Sequence, residues 1–156
     1  MTGGSATARS GTEGFTLLEL LVALAILALL TAIAVPIAGR SGAALELRRT
    51  ALDIAADLRS GRARAQRTSV EQVLLVGVRE RRMWAQGSTV SRAIPARLAI
   101  AMEIPDTERV GAGIGAIRFF PDGSASGGRI LLTDRGQVAQ VSIDWLTGNV
   151  RVSWGR

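Results

Sequence analysis

Two kinds of side chain in this 156-residue chain can do chemistry: 13 carboxylates, and 19 basic groups of which every one is arginine. Lysine, histidine, cysteine and tyrosine are absent. That composition excludes disulfides, thiolate and imidazole metal ligands, Cys/His and Ser/His nucleophile pairs, Schiff-base lysines and the lysine of a phosphate-binding P-loop. Guanidinium stays charged and grips carboxylate or phosphate bidentately, so the bases read as binding groups. Acid/base work falls to carboxylates alone, and no pair of them has a recognisable catalytic spacing. Asp122, Asp134 and Asp144 are spread out without the spacing of a calcium loop and read as solvated turn residues. Gly111-Ala112-Gly113-Ile114-Gly115-Ala116 has the spacing of a dinucleotide loop, yet a strand-like AIRFF and then Pro121 follow where a helix should open. The expectation is no enzyme, no metal and no cofactor.

One carboxylate stands in a setting that demands a use. From Phe15 to Val35 the sequence reads FTLLELLVALAILALLTAIAV, in which only Thr16, Glu19 and Thr31 are polar. As a helix from Phe15 to Ala38 it rises about 36 Å, enough to cross a hydrocarbon layer of about 30 Å. Three readings compete: a signal anchor, a cleaved secretory peptide with Ala32-Ile33-Ala34 as its small-x-small site, or a segment in which Glu19 works. A carboxylate inside a spanning helix is costly unless paired or protonated and marks function by default. Only the third reading explains it.

Further along, Pro36, Gly39, Ser41 and Gly42 weaken the helix, so Pro36 marks either a bend or a boundary. From Ala43 to Thr68 the period is helical, with Leu47, Ala51, Ile54, Leu58 and Ala65 as one apolar stripe, and Gly61 weakens the pattern past Ser60. The remainder reads as strands: Val73–Val78, Met83–Gln86, Leu98–Ile104, Ile117–Phe120, Ile130–Thr133, Val138–Trp145 and Val150–Trp154. Tight turns without intervening helices imply an antiparallel sheet packed on the amphipathic half-helix. In the last hairpin a four-residue loop, Leu146 to Asn149, sets Trp145 opposite Val150, Ile143 opposite Val152, Val141 opposite Trp154 and Asp144 opposite Arg151; a two-residue Gly148-Asn149 loop shifts the pairs and keeps the face. Either way the tryptophans alternate in phase with Val and Ile and read as core.

The residues around Glu19, Gly14-Phe15-Thr16-Leu17-Leu18-Glu19-Leu20-Leu21-Val22-Ala23, resemble the processing site of type IV prepilins and of the pseudopilins of type II secretion. The resemblance implies that a prepilin peptidase/N-methyltransferase cuts after Gly14 and methylates the new amine of Phe15. It implies a leader at 1–14, a hydrophobic transmembrane and assembly helix at 15–38, and a periplasmic domain at 39–156 held to the bacterial inner membrane by a single pass. Cleavage sets a cationic amine one helical turn from Glu19, on the same or a neighbouring subunit, and such a pair would fix the axial register of apolar helices. In pilin-like helices proline is common where Pro36 stands, and a flexible joint there would let the subunit leave the bilayer.

The order of parts, ending in FFPDGSASGGRILLT and VSIDWLTGNVRV, resembles the domain shared by GspH minor pseudopilins and FimT minor pilins, through Phe120-Pro121-Asp122-Gly123, Gly127-Gly128 and Thr147-Gly148. The expected fold is α+β and pilin-like. The expected function is that of a minor pseudopilin that joins other minor and major pseudopilins and helps initiate or cap the periplasmic pseudopilus, which drives protein export across the outer membrane. The alternative is a FimT-like pilin that takes part in pilus assembly and DNA uptake. Residues 39 to 156 hold 18 arginines against 11 acids, and Arg59, Arg62, Arg64 and Arg67 form a run with no acid that could meet phosphate. Gly148-Asn149-Val150-Arg151 lacks the arginine-rich loop expected of a DNA binder, which favours the secretion reading.

Overall fold

A computed structural model describes residues 16–155, with the side chains of 32–41 excepted. The chain divides into two compact units, Met1–Arg40 and Ser41–Arg156. One helix, α1 (Leu17–Thr68), contributes to both. In the first unit every large apolar side chain from Leu17 to Leu30 is exposed. A helix that is apolar all round is stable only when lipid or other helices cover it. Among the described residues no helix is long and apolar enough to cross a membrane; the expected span to Ala38 runs on into side chains outside the described ones, as does the expected bend at Pro36.

In the second unit the apolar stripe of α1 behaves as its period predicts: Leu47, Ala51, Ile54, Leu58 and Ala65 are all buried. The helix runs unbroken through Gly61, where a Cβ would lie 2.5 Å from Leu74 Cδ1 and push that side chain aside. Glycine lets helix and sheet close up.

Nine strands follow: β1 (Gln72–Gly77), β2 (Arg82–Ala85), β3 (Ser91–Ala93), β4 (Ala99–Glu103), β5 (Arg109–Gly111), β6 (Ile114–Phe119), β7 (Gly128–Asp134), β8 (Gln137–Ile143) and β9 (Val150–Gly155). They form two antiparallel sheets, ordered β3-β2-β1-β6-β5 and β4-β7-β8-β9. Both contribute to one core against α1, with Ile117 and Phe119 from the first and Ile130, Leu132 and Val141 from the second. The short edge strands β3 and β5 carry no apolar alternation of their own, so they escape a reading by pattern. The Gly111–Ala116 run is the turn and first half of the β5–β6 hairpin.

Three sequence expectations fail here. The last hairpin pairs Ile143 with Val150, Val141 with Val152, Ala139 with Trp154 and Ser142 with Arg151. Its loop is six residues, 144–149, because Asp144 Oδ1 accepts the N–H and hydroxyl of Thr147, both at 2.8 Å, and winds a turn that ordinary counting of hairpin loops does not include. Trp145 therefore sits on the loop, 67% exposed, and Trp154 sits past the covered part of the sheet, 44% exposed; neither is core. Asp134, expected in solvent, is buried, and Arg97 Nη2 donates to it at 2.9 Å.

Candidate functional site

At the start of α1, Gly14 and Phe15 lie outside the described residues. Thr16 precedes the helix, and the Glu19 N–H donates to its Oγ1 at 3.2 Å. Thr16-x-x-Glu19 is thus half of a capping box, a spacing readable in the sequence that the charge of Glu19 alone does not signal. The cap satisfies one helix N–H that water would otherwise have to reach, and Glu19 stands in the first turn, where the positive end of the helix dipole favours an anion. Its carboxylate has no ion pair among the described residues and is exposed. The site is thus a capped helix end carrying one available anion amid apolar side chains.

The arginine run on the same helix does different work at different positions. Arg59 Nη2 donates to the Val150 carbonyl at 2.8 Å, and Arg62 Nε donates to the Gly123 carbonyl at 3.0 Å. Spaced three apart, these two share a helix face and reach the start of β9 and the Gly123 turn. Arg64 and Arg67 are exposed. Arg59 is exposed as well, so the run divides by its hydrogen bonds and not by its burial.

The two loops meet under Arg62. Gly148 has φ +62, and a Cβ on it would fall 2.2 Å from the Gly123 carbonyl oxygen and 2.8 Å from Arg62 Nε. The Ala125 N–H donates to the Trp145 carbonyl at 2.9 Å, joining the two loops again. Around this junction Pro121-Asp122-Gly123 and Thr147-Gly148 are a backbone-to-backbone clasp that a side chain on Gly148 would force apart.

Both aspartates of the clasp titrate below the ordinary carboxylate range. Asp144 is held down first by the Thr147 N–H and then by its hydroxyl, with Arg151 a lesser influence, and Asp122 first by the Ser124 hydroxyl and then by the Ser124 N–H. A carboxylate with a lowered folded pKa contributes order that is fully present above its unfolded pKa and lost as pH falls through the folded one. Protection of the Thr147 and Ser124 amides, measured as exchange relative to the intrinsic rate at each pH, is therefore expected to fall only on acidification below the usual carboxylate range. Asp144→Asn should remove that pH dependence at Thr147, and unchanged dependence would contradict the assignment.

A capped apolar helix with a lone acid, continued as an amphipathic helix on antiparallel sheets, defines a pilin-like subunit. Family models match in two places: the prokaryotic N-terminal methylation motif over residues 9–35, and the type II transport protein GspH over residues 50–148. Type II secretion system protein H of Xanthomonas campestris pv. campestris is 33% identical over 142 residues, covering 89% of this chain and 82% of that protein. The minor pseudopilin EpsH from the type 2 secretion system of Vibrio cholerae has the same fold, with TM-score 0.56 at 13% identity, covering 69% of this chain and 96% of EpsH. The chain belongs to the GspH family of type II transport proteins, minor pseudopilins of type II secretion. With its methylation motif, it is a pseudopilin of the inner-membrane-anchored kind. Both resemblances read from the sequence are borne out, and the family is a structural one.

Proposed function

We propose that this chain initiates or caps the periplasmic pseudopilus and acts there as structure, without catalysis. The observation that carries the proposal is the first unit: a helix with exposed leucines on every side from Leu17 to Leu30 and a single acid in its capped first turn. Such a helix needs lipid before assembly and neighbouring helices after it. Processing after Gly14 by a prepilin peptidase, and methylation of Phe15, would supply the cation that Glu19 lacks. The leader is then 1–14, the anchor 15–38 and the periplasmic domain 39–156, with the other minor and major pseudopilins as partners. A flexible Pro36 would ease passage from bilayer to filament. DNA contact is the weaker reading, because two of the four arginines of the run, Arg59 and Arg62, are engaged by the domain's own carbonyls.

The chain has no cysteine, so a disulfide to it can form only where one is introduced. Leu21→Cys, co-expressed with a pseudopilin carrying a cysteine at the corresponding apolar helix position, is expected to form a disulfide-linked heterodimer when the secretion system assembles, since such a bond needs Cα atoms within about 7 Å. Cross-links to no pseudopilin would contradict the proposal.

A further inference from the structure

We propose that the end of the second unit where the chain enters it is a basic aromatic collar that seats on the phospholipid headgroups of the membrane holding the apolar helix. The inference rests on the reading of that helix as a bilayer anchor. Arg97 ties this end together, with Nε 2.7 Å from Glu46 on α1 and Nη2 2.9 Å from Asp134 at the end of β7. Both local acids are thereby engaged. Arg48, Arg49 and Arg135 are exposed around them and have no ion pair among the described residues. The surplus of charge is positive.

The apolar partner of that charge is Trp154. Its ring lies 5.2 Å from Arg48 Cζ, and it lines an open groove with Leu45, Leu47 and Val138. Leu45 is 62% exposed. Arginine beside a half-covered tryptophan and an exposed leucine is the combination that a headgroup layer accommodates: guanidinium on phosphate, indole at the interface, leucine toward the acyl chains. Reach agrees, because only five residues, 39–43, separate Ala38 from Ala44, at most about 20 Å of chain. Trp145 supplies the contrast. It follows the far end of β8, about 20 Å along the strand from the Trp154 end, beside the Arg62 clasp.

The test uses the full chain in nanodiscs of phosphatidylglycerol and phosphatidylcholine with brominated acyl chains. Trp84→Phe with Trp145→Phe leaves Trp154 as sole emitter, and Trp84→Phe with Trp154→Phe leaves Trp145. Trp154 emission is expected to be quenched and Trp145 emission unchanged. Arg48→Gln or Arg135→Gln should each lower the ratio of seated to lifted collar about fivefold, and high salt should act in the same direction. Circular dichroism on each variant confirms that the fold is kept. Trp154 unquenched, or the two tryptophans quenched alike, in discs that hold the chain would overturn the collar alone. A chain that does not copurify with discs would overturn the anchor reading, and the collar with it.

Discussion

Gly148→Ala is expected to destabilise the sheet domain by about 3 kcal/mol or more. Alanine at φ +62 carries strain of its own, about 1–2 kcal/mol. The larger part comes from the Gly123 carbonyl oxygen 2.2 Å from the new Cβ, which is backbone and cannot rotate away. Relief requires loop 144–149 to lift, and that breaks the hydrogen bond from the Ala125 N–H to the Trp145 carbonyl and weakens the hold of Arg59 on the start of β9. Gly136→Ala is the matched control: φ is +82 there, and nothing lies within 4 Å of its Cβ position. Urea unfolding of the detergent-held chain should therefore show a midpoint shift for Gly148→Ala much larger than for Gly136→Ala. Equal shifts would mean that the loops do not meet closely.

The second large effect concerns assembly. Glu19→Leu removes the only acid between Phe15 and Val35 and leaves the Thr16 cap in place, because the cap uses the backbone N–H of residue 19. The helix should form and enter the membrane as well as before, or better, since a costly group is gone. What it loses is the anion proposed to pair with the methylated amine. In a dry helix bundle, leaving that partner unpaired costs about 3–5 kcal/mol, which is a factor of several hundred in association. The expected result is normal membrane insertion, unchanged domain stability and near-complete loss of the Leu21→Cys cross-link. Glu19→Gln should fail similarly, having shape without charge. Retention of the cross-link in either variant would show that Glu19 has no part in register.

Much of the fold is legible in residue order. Leu47, Ala51, Ile54, Leu58 and Ala65 are found at helical spacing because one face of that helix meets a core and nothing else decides their type. The strands with alternating burial, β7 and β8, are found for the same reason at period two. Failures cluster where local hydrogen bonding outranks pattern. Asp144 and Thr147 wind two extra residues into the last loop, and Trp145 leaves the strand with them. Asp134 goes inside because Arg97, 37 positions earlier, comes to meet it, and no local window holds that information. The division of the arginine run is equally non-local: Arg59 and Arg62 are distinguished from Arg64 and Arg67 only by carbonyls 91 and 61 residues away. Of the assembly site, the acid was visible as an anomaly in an apolar run, and the cap was visible as Thr16-x-x-Glu19. The complementary cation proposed for it would be created by processing and would belong to no side chain.

That cation is the centre of the account. Mass spectrometry of the mature N-terminus, on chain purified from cells that carry a prepilin peptidase, measures it directly. The expected product begins at Phe15, fourteen residues shorter than the translated sequence, and carries one methyl group on its amine. A chain beginning at Val35, as a secretory peptidase would leave it after Ala32-Ile33-Ala34, would contradict it.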